Sequence, residues 1–284
     1  MLRPPVDLIK QALEEDGAFA DITTLSTVPA EQWAEGSMLT RQAGVVAGLP
    51  AMAATFHLLD ERITVELLVQ DGAAVQPGEA LARLSGPARS ILSAERVALN
   101  LLGRLSGIAT LTAQCVRALE GTQARILDTR KTTPGLRALE KYAVRMGGGQ
   151  NHRFGLSDGI LIKDNHIKAA GGIAQAVAAA RASAPHLLKV EIECETLAEI
   201  EQALAADADV VLLDNMDVET MRQAVSLIRQ RAPRVLTEAS GNIGTDAAKL
   251  RTVAGTGVDF ISLGALTHSV SNFDVSLEFA ETTR

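Results

Sequence analysis

The stretch Leu187-Leu-Lys-Val-Glu-Ile-Glu193, followed by Val210-Val-Leu-Leu-Asp214, carries the pattern that decides the fold. Both are short runs rich in branched apolar residues, and both end in a carboxylate. The segment between them has apolar residues at helical spacing, Leu197, Ile200 and Leu204. Short apolar runs are typical of buried strands, and the i, i+3, i+7 spacing is typical of an amphipathic helix. Repeated strand–helix units of this kind predict a parallel sheet.

The same unit recurs through the second half of the chain. Four more apolar runs of strand length lie at residues 125–128, 159–163, 234–240 and 260–264. Six units fit either a closed or nearly closed (β/α) barrel or an open doubly wound sheet. Nearly every run ends in a polar or small residue, and in a barrel the carboxyl ends of all strands meet at one mouth. We therefore expect a barrel with its site at those ends.

Residues 1–107 have a different pattern, which mixes short strands with helical segments. Pro4-Pro5 precedes an amphipathic run from Asp7 to Leu13, which predicts an opening helix. Residues 64–69 and 80–85 predict strands, and residues 90–104 predict a long amphipathic helix. The chain is therefore expected to form two α/β domains, an N-terminal one over residues 1–107 and a catalytic barrel over residues 108–268.

Charge is distributed unevenly along the chain. The net charge is −7, which argues against a general nucleic-acid or membrane-surface binder. The window 128–168 nevertheless holds eight Lys and Arg against four Asp and Glu. Arg130 and Lys163 directly follow predicted strands, where a guanidinium fork and an ammonium group suit the binding of an oxyanion. A solvated helix face would explain three other cations equally well: Arg137, Lys141 and Arg145.

Other candidate groups also follow predicted strands. Glu193 and Asp214 end consecutive strands and could hold Mg²⁺ or ribose hydroxyls, while acid–base chemistry and structural ion pairs are the alternatives. Ser240-Gly241-Asn242 and Ser262-Leu263-Gly264 place small residues just after strands, and His268 follows closely. The last loops of barrels commonly bind a phosphate through backbone amides, so these segments are candidates for a phosphate site.

Two nucleotide-binding motifs are missing from the sequence. Gly147-Gly-Gly149 would allow a close backbone approach to an anion, but it would equally allow a tight turn. No Gly-Lys-Ser/Thr follows these glycines, and no GxGxxG pattern occurs in the chain. A nucleoside triphosphate and a nicotinamide cofactor therefore have no support.

The cysteines and the N-terminus indicate the compartment. Cys115 and Cys194 fit no disulfide framework and no metal-ligand spacing, which suits a reducing cytosol. The N-terminus has no apolar signal core. The uncharged stretch 42–59 is interrupted by glycine and proline, which favours a strand–turn–helix over a membrane span. We therefore expect a cytoplasmic protein that binds neither a membrane nor a nucleic acid.

Two long blocks resemble the quinolinate phosphoribosyltransferases. They are Asp128-Thr-Arg-Lys-Thr-Thr-Pro-Gly-Leu-Arg137 and the segment 141–166, which contains Gly147-Gly-Gly-Gln-Asn-His-Arg153 and Leu161-Ile-Lys-Asp-Asn-His166. Shorter matches run through the chain in the family's order: Glu15-Asp16, Asp21-Ile-Thr-Thr24, Val190-Glu-Ile-Glu193, Leu213-Asp-Asn-Met216, Glu238-Ala-Ser-Gly241, Gly257-Val-Asp-Phe-Ile-Ser-Leu-Gly264 and Leu266-Thr-His-Ser269. One departure is Ala20, where the family usually has glycine, and it lies outside the presumed site.

The resemblance implies a fold and an assembly. The fold is an N-terminal α/β sandwich followed by an incomplete (β/α) TIM-like barrel, with the segment 269–284 returning to the first domain. The assembly is a homodimer in which one subunit's N-terminal domain covers the partner's barrel mouth and contributes Arg96 to it. Assembly beyond the dimer is left open.

The resemblance also implies a reaction in NAD biosynthesis. Quinolinate and phosphoribosyl pyrophosphate would give nicotinate mononucleotide, pyrophosphate and CO₂, with Mg²⁺ as the metal. Three residues would hold the ribose, the pyrophosphate and the metal and are the predicted catalytic residues: Lys131, Glu193 and Asp214.

The same motifs assign the substrate-binding residues. The quinolinate carboxylates would be bound by Arg130, His152, Arg153 and Lys163, with Arg96 reaching in from the partner subunit. The 5′-phosphate would be bound by residues that follow the last two strands: Ser240, Gly241, Asn242, Ser262, Gly264 and His268. Thr129 and Leu263 are further predicted substrate-binding residues. Glu193 and Asp214 would be the metal ligands, through the pyrophosphate.

Two rival functions come from different classes of protein. A sister phosphoribosyltransferase could use nicotinate or another acceptor, but a mono-acid would need fewer cations than the window 128–168 supplies. A molybdenum-transport-associated relative lacks the pattern around Lys163 and Asn165. A non-catalytic barrel could bind a sugar phosphate, but it would not need Lys131, Glu193 and Asp214 together.

Overall fold

The computed structural model describes residues 4–280, which form two compact units. The first unit comprises residues up to Ala113, Thr133–Gly148 and the segment from Val270, and the second comprises Gln114–Thr132 and Gly149–Ser269. Within residues 4–280, no helix is both long enough and apolar enough to cross a lipid bilayer.

The first unit contains a four-stranded antiparallel sheet. In spatial order its strands are β12 (Val275–Phe279), β1 (Trp33–Thr40), β5 (Ala80–Pro87) and β3 (Thr64–Leu67). Two short strands, β2 (Gly44–Val45) and β4 (Ala74–Val75), pair separately. Because β12 pairs with β1, the end of the chain belongs to this sheet. Residues 281–284 of the predicted returning segment lie outside the described residues.

The helices of the first unit are α1 (Val6–Glu15), a 3-10 helix (Ala18–Ala20), α2 (Ile22–Thr27), α3 (Leu49–Leu59), α4 (Ala88–Ala118), whose last residues lie in the second unit, and α5 (Arg137–Met146). The core of this unit is built with α1, the 3-10 helix, α3 and α4. Helix α1 buries Ile9 and Leu13 completely, on the apolar face that the sequence predicts. Helix α4 extends the predicted segment 90–104 to 31 residues. The core includes Met38, Met52 and Phe56, which are fully buried.

Helix α5 lies in the first unit, although the sequence prediction includes it in the barrel domain 108–268. Glu140 of this helix is fully buried and accepts hydrogen bonds from Arg104 Nη2 at 2.8 Å and from the Thr133 amide at 3.0 Å. Tyr142 donates a hydrogen bond to Asp71 Oδ2 at 2.7 Å. These contacts fix α5 to helix α4 and to the turn before β4. The compact units therefore divide the chain differently from the predicted boundaries at 107 and 268.

The second unit contains a six-stranded parallel sheet. Its strands are β6 (Arg125–Leu127), β7 (Ile160–Ile162), β8 (Val190–Cys194), β9 (Val210–Asp214), β10 (Leu236–Ser240) and β11 (Phe260–Ser262), and all coincide with the predicted apolar runs. The spatial order β6-β11-β10-β9-β8-β7 pairs the first strand with the last and leaves the ring open between β6 and β7. The predicted fold class, an incomplete (β/α) barrel with a separate N-terminal α/β domain, is confirmed.

Helices follow the strands of the second unit, and several of them begin at a residue whose side chain caps the helix. They are α6 (Asp164–Ala170), α7 (Ile173–Ser183), α8 (Leu197–Ala205), α9 (Val218–Arg231), α10 (Ala247–Ala254) and α11 (Ala265–His268). Thr196 and Glu199 form a capping box at α8, and the carboxylate of Asp217 accepts the Thr220 amide at 2.8 Å at α9. Such caps satisfy amides that have no partner inside the helix.

A close backbone approach in the first unit predicts a sensitive glycine. The Phe273 amide donates to Gly103 O at 2.8 Å, and a Cβ built at Gly107 would overlap the carbonyl oxygen of Ser271. Gly107→Ala should lower the free energy of unfolding by about 1–3 kcal/mol through overpacking, which outweighs the ~1 kcal/mol that alanine adds in helix propensity. Urea unfolding followed by circular dichroism measures the change. Asn100→Ala, at an exposed position of the same helix, is the control, and equal stability of the two variants would contradict the prediction.

Candidate active site

The carboxyl ends of the six parallel strands lie at one edge of the second unit. The register pairs Ser240 with Asp214 and Ser262 with Leu127 across neighbouring strands. Most of the predicted site residues occupy this edge or the loops that leave it: Thr129, Arg130, Lys131, His152, Arg153, Lys163, Glu193, Asp214, Ser240, Gly241, Asn242, Gly264 and His268. Arg96 lies in the first unit, at an exposed position of α4.

Lys163 and Glu193 form an ion pair between the ends of β7 and β8. Lys163 Nζ lies 2.7 Å from Glu193 Oε2. The lysine side chain is 47% exposed, whereas the glutamate side chain is 12% exposed. A cation and a carboxylate predicted to bind different substrates therefore neutralise each other in this structure.

Lys131, Gly264 and His268 lie close together at the ends of β6 and β11. A Cβ built at Gly264 would lie 2.9 Å from Lys131 Cδ and 3.0 Å from His268 Nε2. The Thr267 hydroxyl donates to the Lys131 carbonyl at 2.7 Å, which ties the two loops together. A side chain at position 264 would therefore displace Lys131 or His268.

The loops after β9 and β10 are also in close contact. Asn215 Nδ2 donates to Asp214 Oδ2 at 2.7 Å, and Asn215 Oδ1 accepts from Asn242 Nδ2 at 3.0 Å. Asn215 and Asn242 have φ angles of 54° and 35°, and Gly241 has a φ of 82°. Left-handed backbone is uncommon outside glycine, and asparagine is among the residues that tolerate it best. A side chain at Gly241 would overlap Asn215. This packing holds the Asp214 carboxylate at the edge.

Two of the predicted substrate-binding residues, Ser262 and Leu263, are buried. Leu263 is 3% exposed, and its amide donates to Leu127 O at 3.0 Å within the sheet. Ser262 is 6% exposed, and its hydroxyl is hydrogen-bonded to Glu238. Their predicted substrate contacts stay predictions, and these polar groups already have partners inside the protein.

A buried aspartate fixes the loop that carries His152. Asp128 follows β6 and is fully buried. Its Oδ1 accepts the His152 amide at 2.9 Å, and its Oδ2 accepts Asn151 Nδ2 at 2.5 Å. A buried carboxylate is stable when it is hydrogen-bonded in this way, and the loop is therefore anchored to the strand.

Both ring nitrogens of His152 have partners inside the protein. Nδ1 accepts the backbone amide of Arg153 at 2.7 Å. Nε2 lies 3.0 Å from Glu191 Oε2 and 3.6 Å from Glu238 Oε2. Because Nδ1 accepts a hydrogen bond, the ring proton is on Nε2 and faces the two carboxylates.

The surroundings of the buried Glu238 carboxyl favour its protonated form. Burial, followed by the neighbouring Glu191 carboxylate, raises the pKa of Glu238 to about 8, although His152 and the Ser262 hydroxyl act in the opposite direction. A proton on Glu238 relieves the repulsion between the two carboxylates. The pair therefore carries less negative charge at neutral pH than two glutamates would in water.

Arg153 is partly buried among charged groups. Burial, and then the neighbouring Arg130, lower the pKa of the Arg153 guanidinium, whereas Glu191 and Asp158 raise it. Its Nη1 donates to Gly159 O at 3.0 Å. Two guanidinium groups held near each other in this way suit a ligand with two carboxylates.

Two sets of residues offer oxygen or nitrogen ligands for a metal. Within residues 4–280, His152, Glu191 and Glu238 place three ligand atoms within 4.8 Å of one another. The Arg153 amide occupies Nδ1, so Nε2 keeps the ring proton and offers a metal no lone pair. Glu193 and Asp214 fit Mg²⁺ better, because this ion commonly takes one or two carboxylates and completes its shell with phosphate oxygens and water.

Three buried acids near the site were missing from the predicted set: Asp128, Glu191 and Glu238. A signal for two of them was present, because alternate residues of a strand share a face. Glu191 precedes Glu193 by two residues, and Glu238 precedes Ser240 by two. A glutamate inside an otherwise apolar run of a parallel strand is unusual enough to indicate a role.

The raised pKa of Glu238 predicts that stability falls as pH rises. Between the ordinary value of 4.5 and about 8, the folded protein holds a proton that the unfolded chain has released. The free energy of unfolding should therefore fall with pH in this window, by up to about 1.4 kcal/mol per pH unit. Glu238→Gln removes this titration and should flatten the dependence, which urea unfolding between pH 5 and 8 measures. Glu201→Gln, at an exposed position of α8, should keep the wild-type slope, and equal slopes in all three proteins would contradict the assignment.

Comparisons with known proteins agree over both halves of the chain. Residues 108–278 match the C-terminal domain, and residues 21–106 the N-terminal domain, of quinolinate phosphoribosyl transferase. A Bacillus subtilis protein named probable nicotinate-nucleotide pyrophosphorylase (carboxylating) is 47% identical over 271 residues, which cover 95% of this chain and 92% of that protein. A Mycobacterium leprae protein named nicotinate-nucleotide pyrophosphorylase (carboxylating) is 47% identical over 278 residues and 96% of each chain.

Solved structures agree as well. The crystal structure of NadC from Streptococcus pyogenes superposes with a TM-score of 0.89 at 44% identity, covering 97% of this chain and 96% of that one. The match of both domains, the high identity and the strand-edge site lead to one conclusion: the chain belongs to the quinolinate phosphoribosyl transferase family.

Proposed function

We propose that this enzyme transfers the phosphoribosyl group of phosphoribosyl pyrophosphate to quinolinate with decarboxylation, giving nicotinate mononucleotide, pyrophosphate and CO₂ in NAD biosynthesis. The family membership and the names of its relatives support this reaction. The observation that supports the proposal most strongly is the set of charged groups at the carboxyl ends of the strands. The cations there suit a dicarboxylate acceptor, and the carboxylates there suit a ribosyl cation.

The acceptor would be held by its two carboxylates. Arg130, Arg153 and Lys163 supply three cations around the open side of the barrel, and Thr129 lies beside Arg130 in the chain. Quinolinate is a dianion, so these groups would both select it and hold its ring nitrogen in line with the anomeric carbon. Binding a carboxylate at Lys163 would replace its contact with Glu193.

The transfer step would develop positive charge on the ribose. As pyrophosphate leaves, the ring nitrogen forms the new bond to the anomeric carbon, and the Glu193 and Asp214 carboxylates would stabilise the oxocarbenium character electrostatically. Mg²⁺ bound through these two residues would supply charge neutralisation at the leaving pyrophosphate. Lys131 lies beside Gly264 and His268 and would add a fixed positive charge there.

Decarboxylation would follow from the product of the transfer. The quaternised ring nitrogen draws in the electron pair that remains when the adjacent carboxylate leaves as CO₂, and the ring carbon then takes a proton from water. This step needs no dedicated base. The 5′-phosphate would meanwhile be held by the loops after the last strands, at Ser240, Gly241, Asn242, Gly264 and His268.

A homodimer is a further proposal, with Arg96 reaching the partner's site. The first unit exposes large apolar side chains, among them Phe19 at 62%, Ile22 at 81% and Trp33 at 56%. Exposed apolar groups of this size commonly mark protein interfaces. A cytoplasmic location is also proposed, and the two free cysteines, both buried, support it.

Acceptor selectivity tests the proposed reaction. Purified protein with Mg²⁺ and phosphoribosyl pyrophosphate should form nicotinate mononucleotide and CO₂ from quinolinate and no nucleotide from nicotinate. Arg130→Ala should raise KM for quinolinate by about 10- to 100-fold, the loss of one charge-assisted hydrogen bond. Lys189→Ala, exposed at the opposite end of β8, should leave KM unchanged. Activity with nicotinate alone would overturn the dicarboxylate assignment.

Subunit mixing tests the role of Arg96. Arg96→Ala and Lys163→Ala should each abolish most activity as homodimers, because each removes a cation from both sites. Refolding an equal mixture should restore about a quarter of the wild-type activity, since half of the dimers are then mixed and carry one intact site. An inactive mixture would show that Arg96 serves its own subunit, and a monomeric active enzyme would exclude the shared site.

A further inference from the structure

Glu191 and Glu238 form a buried carboxylate pair below the edge of the barrel. Glu191 is 7% exposed and Glu238 is 2% exposed, whereas Glu193 and Ser240, two residues further along the same strands, reach the edge. Removing carboxyl groups from water is costly unless each has hydrogen-bond partners. The contacts of this pair therefore indicate what it does.

Both carboxyl groups face the same nitrogen. His152 Nε2 lies 3.0 Å from Glu191 and 3.6 Å from Glu238. The opposite nitrogen, Nδ1, accepts the Arg153 amide at 2.7 Å. With both nitrogens engaged inside the protein, the ring has no polar atom left for an acceptor carboxylate. The role of His152 as a direct ligand therefore conflicts with its contacts.

These contacts determine where Arg153 lies. Its amide is held by His152 Nδ1, and its guanidinium donates to Gly159 O at 3.0 Å. A Cβ built at Gly159 would lie 3.1 Å from Arg153 Cβ, so the arginine packs along the backbone of the glycine. The negative charge of Glu191 also offsets the repulsion between Arg153 and Arg130. The buried pair therefore acts on the guanidinium both through the ring and through its charge.

We propose that Glu191 and Glu238 are positioning residues that lock the His152 ring with its proton on Nε2, so that Nδ1 holds the Arg153 amide and directs Arg153 to the acceptor. His152 is then a strut between the buried pair and Arg153, and the arginine contacts the acceptor carboxylate. This inference rests on the proposed function, because it assigns Arg153 to the acceptor of that reaction.

Paired substitutions at Glu191 test the strut. Glu191→Leu fills the same space and removes the acceptor for Nε2, whereas Glu191→Gln keeps an oxygen there. Glu191→Leu should raise KM for quinolinate at least about tenfold, with KM for phosphoribosyl pyrophosphate within about twofold of wild type, and Glu191→Gln should restore most of the loss. Glu238→Leu should act in the same direction. Glu201→Leu, at an exposed position of α8, is the matched control and should leave both constants unchanged.

Nitrogen NMR of the histidine rings shows which ring nitrogen of His152 carries the proton, and this measurement does not depend on catalysis. The chain has five histidines, and loss of one signal in His152→Asn assigns that ring. Wild type should show a protonated Nε2 and an unprotonated Nδ1. Glu191→Leu should give a mixture of tautomers. Benzene-1,2-dicarboxylate has the two adjacent carboxylates without the ring nitrogen, and its addition should leave the wild-type tautomer unchanged.

The outcomes separate this inference from the proposed function. A ligand-induced proton on Nδ1 would make His152 a direct ligand and overturn the strut. Equal KM values for the leucine and glutamine variants would also overturn it. If the wild type is inactive with quinolinate but the ring shows the expected tautomers and their loss in Glu191→Leu, the proposed function fails and the strut stands as the support of Arg153.

Discussion

Parallel pairing of the six strands in the second unit sets the direction on which its chemistry depends. Parallel strands all end at one edge, and residues alternate between two faces along each strand. Glu193 and Glu191 therefore share a face but differ in depth by two residues. The upper residue reaches the edge, where substrates can bind, and the lower one is buried. One layer of carboxylates can thus serve substrates. The next layer has most of its contacts inside the protein, although Glu191 Oε1 is buried without a hydrogen-bond partner among residues 4–280.

Charge compensation follows from that layering. At the edge, Lys163 pairs with Glu193 at 2.7 Å, although the proposed reaction assigns the cation to the acceptor and the carboxylate to the ribose. An anionic acceptor and a developing ribosyl cation would each replace one partner of this pair. Below the edge, Glu191 and Glu238 are buried and face the Nε2 atom of His152, and burial raises the pKa of Glu238. Ion pairs at the edge of the barrel can therefore be replaced by substrates, whereas the contacts of the buried acids stay inside the protein.

Local periodicity explains which features could be predicted from the sequence. Run length and branched residues located all six strands, and the polar residues that follow them located the edge. Contacts between residues far apart in the chain carry no such signal. The placement of α5 in the first compact unit depends on Glu140 with Arg104 and on Tyr142 with Asp71, which the sequence does not signal. The burial of each glutamate could not be predicted from the sequence for the same reason. The two glutamates of Val190-Glu-Ile-Glu193 look equivalent until the strand register is known.

The buried pair also bears on why a dicarboxylate suits this site. Arg130 and Arg153 repel each other, and partial burial of Arg153 strengthens that repulsion because less water screens it. Glu191 offsets part of this cost from below. An acceptor with two adjacent carboxylates can offset the remainder from above, one carboxylate for each guanidinium. A mono-acid would offset less of the repulsion between Arg153 and Arg130 than a dicarboxylate would. Selectivity for the acceptor would then arise as much from the penalty on the wrong ligand as from attraction to the right one.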